Sequence, residues 1–513
     1  MTNSTTTPSR FRFGFMVPLL GIALVLALAC NTAKPRAAAD DNFRGIANVH
    51  DAPKQIDVPK ATPRAKYVFL FIGDGMGANH VRLAELYQQQ TVPSMREAQM
   101  VFSTFPIRTF ATTHSLNSDI TDSAAAGTAL ATGHKVDNGV VGKDMQTDTP
   151  LTTIAEKAHR RGMKVGILSS VSIDHATPAC FFAHQNNRSM YYEIAMSLGK
   201  SGFAFFGGGG FKFPRGPNGI SADAFDAARS DGYTLIQSAE ALQALPGHVD
   251  KLFVMHPALQ SEGEMPWAME ADTYLRMPLA DIVAKAIEQL DGKNGFFMMV
   301  EAGKIDWASH ENDGAAALHE VLAFNNAIQQ AVAFYRRHTD ETLIVVTADH
   351  ETGGLGLGNN TIPMTLRVPL LKYQKLALGT LAAAIDDQLG SGASFEKAMA
   401  FITRVTGLGD KQKGLGLTAA EQQRLELAYQ AMTRANLAVP TPLLGYGNTK
   451  GRFGNLAAVA VDLLNQKAGI GWSSLSHTAA PVPVYAIGAA SNRFDTPLDN
   501  TDIPKQMAKA MGW

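Results

Sequence analysis

The sequence predicts an α/β fold: a doubly wound, mostly parallel sheet flanked by helices, with a helical insertion before the last candidate metal ligand. Three observations carry this. Five apolar runs, Tyr67–Ile72, Lys164–Leu168, Phe296–Val300, Leu343–Thr347 and Val482–Ile487, lack the alternation of a half-exposed strand. Runs of that kind are what strands buried on both faces look like, and such strands build parallel sheets under helices. From Tyr67 onward these runs alternate with helical patterns, and polar metal-ligand residues cluster at one end of each. Ligands in open α/β sheets bind beyond the carboxyl ends of strands, so the clusters predict one site rather than scattered charges.

Residues 1–30 read as a secretory signal. Arg10 and Arg12 form a basic flank, Phe13–Ala29 is apolar, and Ala27-Leu28-Ala29-Cys30 closes the segment. Cys30 stands where a bacterial lipoprotein carries its lipidated cysteine, but Ala27 occupies the place where such signals have Leu. A lipid anchor on Cys30, a soluble export signal and an uncleaved Phe13–Ala29 anchor all stay open. Residues 31–66, rich in Ala, Pro, Lys and Asp, read as a tether. The chain is therefore expected to be exported, to the periplasm or cell envelope. Cys180 is the only other cysteine, so no internal disulfide is expected once Cys30 is removed or lipidated, and Cys180 reads as a small core residue.

The 513 residues carry a formal net charge of -1 and are 46% hydrophobic and 18% charged, a globular composition. No basic run supports nucleic-acid binding. Residues 67–513 read as one catalytic domain. Within it Phe205–Gly219 reads as a glycine-containing loop, and residues 361–471 as a mostly helical insertion or cap. The helical stretch Ala419–Ala435 opens on Thr418-Ala419-Ala420-Glu421, a capping box.

The candidate ligands follow in chain order. Asp74 lies in the glycine-flanked turn after the first run, where it either holds an ion or stabilises its own turn. Ser123, after Asp122, opens an Ala-rich helix, a place that favours an anion and suits a nucleophile as well as an ordinary cap. His175 and Thr177 follow the second run. Thr177 offers a hydroxyl to a hard cation, and Arg188 offers a planar fork to phosphate or is a plain surface cation. Glu301 ends the third run, and Asp306 and His310, spaced i, i+4, share one helix face, which suits two ligands of one zinc. Asp349 and His350 follow the fourth run, and His477 precedes the fifth.

Asp122-Ser123-Ala124-Ala125, Glu301…Asp306…His310, Ala348-Asp349-His350-Glu351-Thr352-Gly353-Gly354 and His477-Thr478 stand in the order of the alkaline phosphatase family, which the chain resembles from about Tyr67 to its C-terminus. The resemblance implies two Zn²⁺ ions about 4 Å apart and a third, magnesium-like site. It implies Asp306, His310 and His477 for the first zinc, and Asp74, Asp349 and His350 for the second, with Ser123 as its reactive ligand. Asp74, Thr177 and Glu301 would hold Mg²⁺, and Arg188 the phosphate. His175 and Trp307 lie at positions that vary within the family, near the third ion and the phosphate, and leave that ion's identity open. The implied activity is hydrolysis of small phosphate monoesters through a phosphoserine at alkaline pH, with broad leaving-group specificity, in a chain that a homodimer would suit. The rival readings are a phosphodiesterase of the same superfamily and a non-catalytic phosphate- or metal-binding surface lipoprotein. A sulfatase is disfavoured, because Ala124-Ala125-Ala126 follows Ser123 in place of the sulfatase motif.

Overall fold

The computed structural model describes residues 64–513 apart from 246, 390–393 and 434–453. The signal and nearly all of the tether lie outside the described residues. Among the described residues, no helix is long and apolar enough to cross a membrane.

Ten strands form one sheet. In chain order they are β1 (Tyr67–Gly73), β2 (Ile107–Thr112), β3 (Lys164–Ser169), β4 (Phe205–Gly208), β5 (Thr234–Ile236), β6 (Leu252–Met255), β7 (Phe296–Ala302), β8 (Thr342–Thr347), β9 (Val482–Gly488) and β10 (Leu498–Asp499). Their order across the sheet is β10-β2-β9-β8-β1-β7-β3-β4-β6-β5. All five apolar runs are strands. β1 sits at the centre, parallel to β8 through Tyr67↔Thr342 and to β7 through Tyr67↔Phe296. Every residue of β1, β7 and β8 is buried, as strands covered on both faces must be. Tyr67, Phe69, Phe296 and Phe334 pack edge-on or tilted, with centroids 4.9 Å apart for Tyr67–Phe334 and 5.1 Å for Phe69–Phe296.

β9 departs from the parallel rule. It runs antiparallel to β8, with Leu343 opposite Gly488 and Val346 opposite Tyr485. Its first residues therefore lie at the end of the sheet where the parallel strands finish. This is why His477 precedes its strand while the other candidate ligands follow theirs.

The expected loop at Phe205–Gly219 begins instead as strand β4, parallel to β3 and β6. The glycines reflect backbone crowding. A Cβ on Gly207 would meet Ile282 at 2.8 Å, and one on Gly208 would stand 1.9 Å from the Ser169 carbonyl oxygen. No phosphate loop is needed to explain them.

Within residues 361–471 the described elements are a 3₁₀ turn, Val368–Tyr373, and the helices Leu378–Leu389, Phe395–Thr406, Ala419–Thr433 and Gly454–Ala468. These helices share a core of their own, including Leu381, Ile385, Ile402, Leu425 and Val459. Thr418 and Glu421 exchange the two capping hydrogen bonds, at 2.7 and 3.3 Å. Cys180 is fully buried and donates to the Ala124 carbonyl.

Candidate metal and phosphate site

The candidate ligands converge because most are fixed by the end of a sheet strand or by a short helix beyond one, and His477 by a short antiparallel pairing with Thr352. Asp74 stands one residue beyond β1. Gly75 turns the chain with φ +73°, and a Cβ there would lie 2.8 Å from the Asp306 Cα. Glycine is therefore what lets the β1 turn lie against the helix Lys304–His310. The helix Ser123–Thr132 is capped by Asp122, whose Oδ1 accepts from the Ala125 N–H at 3.0 Å. Gly127 brings this helix onto the short helix Ala176–Ala179: a Cβ there would lie 3.2 Å from the Thr177 Cα.

Three groups of ligand atoms each lie within 4.8 Å of one another: Asp306, His350 and His477; Asp74, Asp349 and His350; Asp74, His175 and Glu301. His350 Nε2 is 3.5 Å from Asp74 Oδ1, 3.2 Å from Asp349 Oδ2 and 3.2 Å from Ser123 Oγ. His310 Nε2 lies 3.1 Å from His477 Nε2 and 3.4 Å from Asp306 Oδ2. Thus His310, Asp306 and His477 meet as expected, while His350 faces both the Asp306 group and the Asp74 group. Arg188 Nη1 is 3.0 Å from Asp122 Oδ2, and its Nη2 is 3.4 Å from His175 Nε2. Trp307 stacks edge-on to His175, with centroids 5.9 Å apart. All twelve candidate site residues thus fall in one region at the carboxyl end of the parallel strands.

The charge pattern fits a site built for cations. Both oxygens of Asp74, one each of Glu301 and Asp349, and the Thr177 hydroxyl are buried with no hydrogen-bond partner. Such orphans are costly unless something else occupies them. Burial and the neighbouring Asp349 push the Asp74 carboxyl well above its ordinary range. Burial, with Asp306 nearby, raises Asp349 to about 8. Burial also raises Glu301 to about 7. For Asp306 burial opposes ionisation, but the hydrogen bond and charge of His310 outweigh it and hold the group below the ordinary range. His310 rises in turn to about 9: burial disfavours its charge, and Asp306 more than compensates. Burial lowers His175 to about 3, so its ring is neutral, and carries His350 well below its ordinary value. Packed acids that resist ionisation, with unpartnered oxygens facing neutral imidazoles, fit divalent cations. The Asp306 and His350 groups offer nitrogen as well as oxygen and suit zinc. The Asp74, Glu301 and Thr177 oxygens suit a harder ion.

A supporting layer was not read from the sequence. Thr352 Oγ1 donates to Asp306 Oδ1 at 2.5 Å and lies 3.2 Å from His350 Nδ1. His310 Nδ1 and His477 Nδ1 face the carbonyls of Leu475 and Thr121, at 2.6 and 2.8 Å, which leaves each Nε2 free to ligate. Ser169 donates to Glu301, its register partner across β3 and β7. His80, buried and held near 4 chiefly by burial, accepts from the Gly77 N–H and reaches Ser309 at 2.9 Å, tying the β1 turn to the Asp306 helix. Thr352 sits inside a motif, and its position beside His350 was the available signal. Ser169 and His80 carry no sequence signal, because their partners are distant in the chain.

The comparisons with known proteins agree with this geometry. The family model described as alkaline phosphatase matches residues 65–513. Alkaline phosphatase 3 of Bacillus subtilis is 30% identical over 457 residues, covering 87% of this chain and 89% of its own. Alkaline phosphatase 4 of the same organism is 29% identical over 446 residues, covering 85% and 86%. The crystal structure of a cold-active alkaline phosphatase from a psychrophilic Shewanella superposes with a TM-score of 0.72 at 28% identity, covering 87% of this chain and 99% of that one. The sheet, the metal-ligand groups and a family match across the whole described domain lead to one conclusion: this chain belongs to the alkaline phosphatase family of metal-dependent hydrolases.

Proposed function

We propose that the protein hydrolyses small phosphate monoesters through a phosphoserine on Ser123, with broad leaving-group specificity and an alkaline optimum. The observation that carries the reading is the position of Ser123: at a helix start, 3.2 Å from His350 and on the rim of the buried donor groups. Asp306, His310 and His477 would hold one zinc, and Asp74, Asp349 and His350 another. Asp74, Thr177 and Glu301 would hold Mg²⁺. When bound, these cations supply Lewis-acid chemistry, lowering the pKa of a hydroxyl and neutralising charge at phosphorus. Ser123 Oγ gives up its proton to solvent water and bonds to phosphorus as the ester P–O bond breaks. The leaving alcohol oxygen takes a proton from water. A water then cleaves the phosphoserine, restoring the Ser123 hydroxyl and releasing phosphate. Arg188, held by Asp122, binds two phosphoryl oxygens with its fork, and helix-start N–H groups assist. Trp307 and His175 border that phosphate position.

The test is turnover of an aryl phosphate monoester, the matching diester and the matching sulfate by the purified protein, with metal content measured on the same sample. The monoester should be turned over fastest, by zinc-containing protein. A diester preference would shift the reading to a phosphodiesterase, and absence of turnover to a binding lipoprotein.

The third ion gives a sharper expectation. His175 brings a neutral nitrogen where an Asp would bring negative charge, and its Nδ1 is buried without a partner. Mg²⁺ is then held weakly and a transition metal can compete. His175→Asp should lower the half-saturating Mg²⁺ concentration on the order of tenfold, or about 1.4 kcal/mol. The measurement is a Mg²⁺ titration of activity at fixed zinc. Coincident curves would remove His175 from the third site.

We also propose export and attachment through the N-terminus. Cys30→Ala should release the protein from the membrane fraction if lipid is the anchor. Retention of the variant would point to Phe13–Ala29, and a soluble wild type would end both anchoring ideas.

A further inference from the structure

We propose that the cavity between the end of the Asp306 helix and the insertion helix Gly454–Ala468 binds a hard divalent cation of the calcium type, separate from the catalytic ions. The cavity holds about 240 Å³, and its walls include Glu311, Thr361, Asp462, Asn465, Gln466 and Trp472. None of these is a proposed catalytic ligand. Among the described residues, the only charged ones in its lining are the carboxylates Glu311 and Asp462.

The two carboxylates differ. Asp462 Oδ2 is taken by Arg424 at 2.6 Å and by Gln466 at 2.8 Å. Glu311 has no ion-pair partner among the described residues, and its Oε2 is buried without a hydrogen bond. Asn465 is 2% exposed; its Nδ2 donates to the Asn312 carbonyl at 2.7 Å, which fixes the amide orientation and leaves Oδ1 unpartnered. A Cβ on Gly314 would come within 2.7 Å of that Oδ1, so glycine keeps the space beside it open. The Trp472 Nε1 is likewise buried and unpartnered.

Two shielded acceptor oxygens, one of them on a carboxylate that the charges of Lys304 and His310 reach without forming an ion pair among the described residues, suit a cation. Among the described lining residues the available donors are oxygens, with no thiolate or imidazole, which favours a hard ion. A bare ion would not fill the space, since one water occupies about 30 Å³. Calcium accepts six to eight oxygens at about 2.3–2.6 Å and tolerates irregular shells. Glu311 Oε2 and Asn465 Oδ1 would be its protein ligands, with retained waters completing the shell and one of them accepting from Trp472. The ion would join the residue after His310 to the insertion helix, so its effect is on stability rather than on the reaction itself.

Terbium, which replaces calcium and is excited through nearby tryptophan, is the probe. Full-length protein loaded with zinc and Mg²⁺ is titrated with Tb³⁺ under tryptophan excitation. Saturable emission is expected, displaced by Ca²⁺, and weakened at least tenfold in affinity by the isosteric Glu311→Gln and by Asn465→Ala. Trp472→Phe should dim the emission while Ca²⁺ still raises the Tm. The wild-type Tm should rise with Ca²⁺ at saturating Mg²⁺, a readout that needs no variant to fold. Absence of both emission and Tm shift in the wild type, or an unchanged response in Glu311→Gln, would overturn the proposal and leave a water-filled cavity.

Discussion

Ser123→Ala is expected to abolish nearly all phosphatase turnover while leaving metal content and folding intact. Loss of the nucleophile in a serine hydrolase costs about a millionfold in kcat, with a residue of catalysis from the remaining binding groups. A comparable loss of several orders of magnitude is expected here. The metal sites should survive, because the buried carboxylates and imidazoles of the three ligand groups do not include Ser123. The helix should survive too: its cap is Asp122, and Ala is a good helix former at the next position. The measurement is kcat on an aryl phosphate beside zinc content and Tm. Acid-quenched wild type should carry phosphate on Ser123, and the variant none. Near-normal turnover in the variant would remove Ser123 from the mechanism, and a phosphoenzyme trapped elsewhere would name its replacement.

The parts of this site that were legible in the sequence are those whose signal is local. Apolar runs without alternation announced β1, β3, β7, β8 and β9, and a short polar motif beside each marked a metal-ligand residue. Asp306 and His310 were readable from their i, i+4 spacing, and they do share the helix Lys304–His310. What stayed hidden depends on long-range placement. Nothing near Val482 distinguishes an antiparallel strand from a parallel one, so the reason that His477 precedes its strand appeared only with the register to β8. Gly207 and Gly208 read as a loop because glycine is usually a breaker. Their actual cause, contact with Ile282 and the Ser169 carbonyl, involves chain segments far away in sequence. β5, β6 and β10 hold only two to four residues each, and the six of β2 mix Arg108, Thr109 and Thr112 with apolar residues, so no long apolar run announces them. Ser169 and His80, which orient Glu301 and the Asp306 helix, are ordinary residues until their partners are known.

Stripping the metals should destabilise the protein by an amount that grows with pH, and the signs follow from the buried groups. In the metal-free fold Asp349 is raised to about 8, Glu301 to about 7, and Asp74 well above its ordinary range, each chiefly by burial. In the unfolded chain these carboxyls titrate near their ordinary value, about 4. Between about pH 4 and about pH 8 these carboxyls hold more protons in the folded state than in the unfolded one and make stability fall as pH rises. His175 and His350, kept neutral by burial, act in the opposite direction only up to about pH 6.5. His310 works in the same direction as the carboxyls: its pKa is raised to about 9, so its contribution is full below its ordinary value of about 6.5 and is lost as pH rises towards 9. Asp306 is depressed, so its contribution is already complete above about pH 4 and stays constant across this window. Bound cations reverse the balance. They take the place of the protons on Asp74, Asp349, Glu301 and His310, so their affinity strengthens as pH rises. A ligand at a thousand times its Kd stabilises by about 4 kcal/mol, and several ions act on one fold. The Tm difference between zinc- and magnesium-loaded protein and chelator-stripped protein should therefore be small near about pH 5.5 and much larger near about pH 8.5. Calorimetry of both forms at the two pH values measures it. Equal differences at the two pH values would mean that these carboxylates and His310 do not hold the ions, and would break the link between the buried acid cluster and metal-dependent catalysis.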